Sequence, residues 1–346
     1  MRAARLSRGG LWLLCCGLLA LLAASGVAAF GFGAARIPVS HVFAIVADAL
    51  GLGSGTRNWT PAERNIVMEL RVPRVLLGAA AGAGLAAVGA VLQVLTRNPL
   101  ADPYLFGVSA GAGLGAVVVI LYAGSLAGPL TLPGAAFLGA LLAMALVFAA
   151  ARGRQGAPTS ERLILTGVAV AFVLHAATNF LITTSLDRGA DAVMFWMMGG
   201  LGAARWSSVP VPLALSCAGI VWLMLRAASV NALAFGDDTA RTLGIDPVRL
   251  RAEMFVVTAL MTGAIVAMSG GIGFVGLVMP HIVRLLAGGD LRRLLPLSGL
   301  FGALFLVWID VLARSAFAPR EIPLGVVTAA IGGAFFLWLM RRRREP

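Results

Sequence analysis

Residues 72–95 read VPRVLLGAAAGAGLAAVGAVLQVL, and this run decides the fold class. Arg74 and Gln93 are its only polar side chains. A helix on the surface of a soluble domain keeps a polar face; this one has none, and it is longer than the about 20 residues needed to cross a bilayer. Gly78, Gly82, Gly84 and Gly89 recur along it, and Gly107, Gly111, Gly113 and Gly115 follow in the next apolar run. Lipid tails give no hydrophobic drive between helices, so small residues serve to bring backbones close. They are not a nucleotide fingerprint, because no strand precedes them and no βαβ unit surrounds them.

The same pattern extends along the chain. Of 346 residues, 60% are hydrophobic and 12% charged, against roughly 25% charged in soluble domains. Apolar runs predict ten spans near 11–32, 72–95, 104–122, 133–151, 163–183, 209–226, 254–270, 272–287, 296–314 and 323–340. The seventh and eighth meet at Ser269-Gly270-Gly271, as a broken helix or a tight hairpin. The expected fold is therefore an all-α, polytopic membrane bundle forming one domain over residues 1–346. Arg2, Arg5 and Arg8 before Leu11–Ala24 also fit a cleaved signal peptide, but a retained first span is favoured because the rest of the chain is membrane-embedded as well. With the N-terminus inside, eighteen of the 27 basic residues fall on the inner side. That bias predicts both termini in the cytoplasm, and Arg341–Arg344 reads as a stop signal rather than a nucleic-acid site.

All 27 basic residues are arginine. A phosphate-binding loop needs its lysine, so no such loop exists here and any ATP hydrolysis belongs to another chain. Cys15, Cys16 and Cys217 lie in apolar runs and read as small membrane hydrophobes, not as a metal site or disulfide framework.

Two ordered blocks carry a resemblance. The first runs Arg71-Val-Pro-Arg74, Gln93, Arg97-Asn-Pro-Leu-Ala-Asp-Pro103, Gly107-Val-Ser-Ala-Gly-Ala-Gly-Leu-Gly115. The second runs from Gly271 through Pro280-His281 to Arg284, then Leu295-Pro296, Asp310, Arg314 and Glu321-Ile-Pro-Leu-Gly325. Together they resemble the FecCD permeases, which import iron-siderophores, haem and cobalamin, from about residue 60 onward. One departure is Gly332-Gly333-Ala334-Phe335, where the family has a proline before the phenylalanine. A missing kink there would alter helix shape.

The resemblance implies a type II ABC importer permease of the bacterial inner membrane. It implies a homodimer of ten-span subunits with two cytoplasmic ATPases, a periplasmic binding protein and surrounding lipid. The chain itself would hold no cofactor, with ATP-Mg on the partner ATPase. Segment 235–249 would be the ATPase dock, through Phe235, Gly236, Asp237, Asp238, Ala240, Arg241, Leu243 and Gly244. Its residue pattern fits two short helices: Asp237 or Asp238 capping one that Gly244 ends, and Asp246 capping a second with Pro247 in its first turn. Arg71, Arg74 and Arg314, at outer helix ends against the topology bias, would dock the binding protein; interface snorkelling is the plainer account. Thr159 and Ser160 would form the cytoplasmic gate, or simply cap the helix after them. His175 and Asn179, one turn apart in the fifth span, would face the pathway or bond to another helix. Met194, Met197 and Met198 would offer it an adaptable wall, or serve as packing; Met198 is the one assigned to the pathway. His281 reads as structural, Asp310 as paired within the bundle, and Asp187–Trp206 as carrying a short interfacial helix.

The expected cargo is an iron complex, haem or ferric siderophore, with cobalamin as the alternative. An ion-coupled secondary transporter would need several intramembrane acids, and only Asp310 is plainly one. A membrane enzyme would need paired His or acidic clusters, and His41, His175 and His281 are dispersed.

Overall fold

A computed structural model describes residues 8–52, 58–124, 126–151, 160–185 and 189–342. Thirteen helices account for most of the described chain, in agreement with the all-α expectation. In chain order they are α1 Arg8–Gly31, α2 Val39–Ala49, α3 Pro61–Leu95, α4 Val108–Ala123, α5 Thr131–Ala151 and α6 Ser160–Thr184. There follow α7 Ala190–Met197, α8 Pro210–Ala234, α9 Asp237–Thr242, α10 Pro247–Ser269, α11 Val275–Ala287, α12 Leu291–Ser315 and α13 Leu324–Arg342. Seven of these (α1, α3, α5, α6, α8, α10 and α12) are long and apolar enough to cross a membrane. The other three expected spans correspond to the shorter apolar helices α4, α11 and α13.

Helix α3 is the central post, mostly buried and packed by α8, α10, α11 and α12. Its glycines do what the sequence implies. A Cβ on Gly82 would lie 2.1 Å from the Gly302 carbonyl oxygen of α12, and one on Gly89 would lie 1.8 Å from that of Gly276 in α11. Such approaches exclude any side chain and bring backbone against backbone. The helix begins eleven residues before the expected span: Thr60 forms a capping box with Glu63, and a π-helical turn, Ile66–Arg71, carries the chain to Arg71.

Helix α1 is built into the bundle, with Trp308 of α12 donating to the Ser25 hydroxyl at 3.1 Å. Helix α2 was not foreseen. It is short, buries Val42 and Ile45, and exposes Val39 and Phe43.

The junction after α10 resolves as a break, not a continuous helix. Gly270 and Phe274 both adopt positive φ, at 64° and 68°, on either side of a non-helical stretch. Backbone at that depth must be satisfied by protein. Ile272 N–H donates to the Tyr104 hydroxyl at 2.7 Å, and Gly200 N–H to the Ser269 carbonyl at 2.8 Å. Leu324 and Gly325 N–H groups, opening α13, donate to the Gly199 and Met198 carbonyls at 2.9 and 3.0 Å. Phe274 then lies over Gly332, where a Cβ would come within 2.3 Å of its own. At the Ala334 departure α13 runs on without a break.

Candidate functional site

The functional candidates fall at the two ends of the bundle and on one exposed helix face. At the end holding the C-terminus of α12, the three expected docking arginines point inward. Arg71 is buried and donates to the Phe30 carbonyl in the last turn of α1 and to the Ala35 carbonyl beyond it. Arg314 is buried, donates to the Ala29 carbonyl at 2.9 Å and pairs with Asp310 at 3.3 Å. Arg74 clasps Asp310, its Nε at 2.9 and 3.1 Å from the two carboxylate oxygens, and reaches Glu321 at 2.9 Å. Asp310 is thus paired, as expected, with two arginines. Burial and these partners leave Arg71 and Arg314 unable to reach a second protein's carboxylate without leaving the fold.

Above them opens a cavity of about 500 Å³ whose lining includes Arg74, Phe195, Trp196, Arg205, Ser208, Glu321 and Pro323. Among the described residues, the exposed cations at this end are Arg36, Arg205 and Arg320, which sequence reasoning counted for topology only. The short helix expected in Asp187–Trp206 is α7, with Phe195 exposed; Trp206 donates to the Met68 carbonyl at 2.8 Å, satisfying the π-turn. Met194 is the exposed methionine of this segment, whereas Met197 reaches Gly113 and Met198 is half-buried.

At the opposite end, α8 runs on to Ala234 and the chain turns into α9, so this segment differs from the two short helices expected. Gly236, at φ 119°, occupies the N-cap position and neither aspartate caps the helix. Asp237 is used otherwise. Arg251 donates to both its oxygens, at 2.8 and 2.6 Å, and Arg97 adds a bond at 2.9 Å. The Arg251 hydrogen bonds hold the Asp237 carboxyl below the ordinary aspartate range, with the Arg97 charge adding to the effect. Gly244 ends α9 at φ 75°, as expected. Asp246 caps the next helix by accepting from Val248 and Arg249 N–H, but that helix is the full span α10.

Of the expected dock residues, Ala240 is buried and Asp237 is half-buried as an anchor. Phe235 and Leu243 are exposed at 80% and 64%, with Asp238 and Arg241 pairing beside them at 3.0 Å. The result is an apolar tip with a charged rim, fixed by a carboxylate clamped between α10 and the turn after α3. Arg97 and Arg251, the clamping pair, were missed because no spacing rule links positions so far apart in the chain.

Thr159 lies outside the described residues, and Ser160 begins α6. On α6, His175 and Asn179 are exposed and share a stripe with Glu161, Leu165, Phe172 and Thr183. His281 is buried and packs edge-on against Phe335 at 6.0 Å, as a structural residue would. Among the described residues no group of three His, Cys, Asp or Glu is placed to hold a metal ion.

A family model described as the FecCD transport family matches residues 20–342. The vitamin B12 import system permease protein BtuC of Vibrio cholerae is 42% identical over 83% of this chain and 86% of its own length. The hemin transport system permease protein HmuU of Yersinia pestis is 39% identical over 81% and 84% respectively. A solved metal-chelate type ABC transporter in an inward-facing conformation superposes with a TM-score of 0.82, 28% identity, and coverage of 95% of this chain and 99% of the other.

Proposed function

The chain belongs to the FecCD transport family as a permease of an ATP-binding-cassette importer, and from that premise we propose how its parts work. Two copies form the channel in a bacterial inner membrane, with both termini cytoplasmic. Two separate ATPase subunits bind at the α9 end and supply ATP-Mg chemistry; the permease performs none. A periplasmic binding protein delivers the cargo at the other end.

The observation that carries this reading is the α9 tip. Phe235 and Leu243 are large apolar side chains held in the open on either side of a short helix that Asp237 locks to α10 and to the turn after α3. An exposed apolar pair within a polar rim suits burial in a partner's cleft, and the lock transmits the partner's motion to two spans. At the far end, an acidic lobe of the binding protein meets the cavity around Arg74 and Arg205, with Arg71 and Arg314 supporting it from beneath.

Helix α6 lines the pathway. Its His175 and Asn179 make no side-chain hydrogen bond among the described residues, and polar groups in hydrocarbon are costly. Facing the second copy across a wet channel removes that cost. Thr159 and Ser160 close its cytoplasmic mouth.

The cargo is a bulky metal chelate, read first as an iron complex such as haem or a ferric siderophore. Cobalamin is the second reading, supported by the similarity to the vitamin B12 permease. Reconstitution with the cognate ATPase and binding protein in proteoliposomes tests both. ATP-dependent accumulation of hemin or a ferric siderophore, but not cyanocobalamin, supports the first; the reverse supports the second. No ATP-dependent uptake of any of them overturns the proposal.

A further inference from the structure

A groove of about 690 Å³ runs between α1 and α8 across α3 and α12. Its walls include Cys15 and Leu19 on α1 and Ile220 and Met224 on α8; small residues, Ala83 and Gly299, form its floor. Both wall helices are mostly exposed, so in a membrane the groove opens onto lipid. An apolar slot of this kind does not hold ordered water.

One residue in the lining is charged. Arg292, in the first turn of α12, stands at one end of the groove with an exposed side chain and no ion pair among the described residues. The nearby carboxylate of Asp290 is already engaged, accepting from the Arg292 backbone N–H at 3.0 Å and from Asn231 at 2.7 Å. Arg293 adds a second positive charge next to it.

Length identifies the occupant. From Arg292 to Ala303, also in the lining, α12 rises about 16 Å at 1.5 Å per residue. That is about half of a 30 Å hydrocarbon core, the depth of one leaflet. A cation at headgroup level above an apolar slot one leaflet deep matches a phosphate and its acyl chain. We propose that this groove binds an anionic phospholipid of the cytoplasmic leaflet, with the phosphate on Arg292 and one acyl chain along Ala83 and Gly299. The leaflet follows from the orientation proposed above; the site does not depend on cargo or protein partners.

Native mass spectrometry of the full chain, purified in detergent and incubated with phosphatidylglycerol or phosphatidylcholine, tests this. The unaltered chain should retain phosphatidylglycerol several-fold better. The R292Q/R293Q double variant should lose that preference, by about fivefold per arginine. Cys217→Trp fills the groove from an exposed position on α8 and should reduce retention of both lipids. Size-exclusion chromatography confirms that each variant is folded. Equal retention of both lipids by the unaltered chain overturns the proposal. So does a preference that survives R292Q/R293Q, or retention that Cys217→Trp leaves unchanged.

Discussion

The two ends of the bundle use the same device to different effect. At one end Asp310 is clamped by Arg74 and Arg314; at the other Asp237 is clamped by Arg97 and Arg251. Asp310 is 2% exposed, Arg314 4% and Arg74 11%, so that clamp is mainly internal bracing. Asp237 is 33% exposed and Arg97 46%, so that clamp sits at the surface and carries an exposed tip. The lesson is that an arginine at a helix end does not by itself mark a docking site. What marks one is the side chain left over once the internal pairs are made.

The comparison breaks most visibly at Asp310. Replacing it by Asn leaves the buried Arg314 without its counter-charge and Arg74 with Glu321 alone. Removing one partner from a buried ion pair costs about 3–5 kcal/mol. Asp310→Asn should therefore lower the thermal unfolding midpoint in detergent sharply, or prevent accumulation of folded protein. A midpoint within a degree or two of the parent would show that the clamp is not bracing.

Asp237→Asn should cost less, about 1–2 kcal/mol, between the exposed and buried limits. The pH dependence has a definite sign. Because Arg251 lowers the folded-state pKa of Asp237, the clamp contributes stability that is fully present above the unfolded aspartate value, about 3.9. It is lost as pH falls through the lower folded value. Acid titration should show the parent and Asp237→Asn converging below pH about 4 and separated at pH 7. A constant separation across that range would remove Asp237 from the account.

Much of this was legible in the sequence, and the gaps have physical causes. Apolar runs located the seven helices long and apolar enough to cross a membrane, and three shorter apolar helices besides, because burial in lipid demands length and apolarity from each span separately. Helix α2 escaped because eleven residues are too few to span. Pairing of Asp310 was expected, and Arg314 lies four residues on, a spacing that puts both on one helix face. The Arg74 partner lies 236 residues away, and only the fold brings it there. A short helix was expected in the 235–249 segment and α9 is that helix, but its division into exposed tip and anchored aspartate was not foreseen. Asp237 and Asp238 look alike in sequence; only the structure gives one to the clamp and the other to solvent.

At the tip, stability and function should separate. Phe235→Asp and Leu243→Asp change exposed side chains, so their unfolding free energies should stay within about 0.5 kcal/mol of the parent. Uptake in the reconstituted complex should nonetheless be lost, since a charge replaces the apolar contact. Measured together, these place Phe235 and Leu243 opposite Asp310: large functional effect, negligible stability effect. Full uptake by both variants would move the ATPase contact elsewhere.

The smallest expected effect lies at the other end, on Arg36, Arg205 and Arg320. Among the described residues, these are the exposed cations that the internal clamp leaves over. Single changes to Gln should leave stability unaltered and weaken capture of the cognate binding protein only modestly, less than tenfold each. Rim charges act mainly on association rate, and their contribution is screened by salt. Association measured at low and at high salt should therefore separate the parent from the variants at low salt and bring them together at high salt. Arg71→Gln should behave in the opposite way. Its side chain is buried against the Phe30 and Ala35 carbonyls, so stability should fall at every salt concentration. If Arg71→Gln instead slowed capture while leaving stability intact, the distinction between bracing and docking arginines would fail at the residue where burial makes it sharpest.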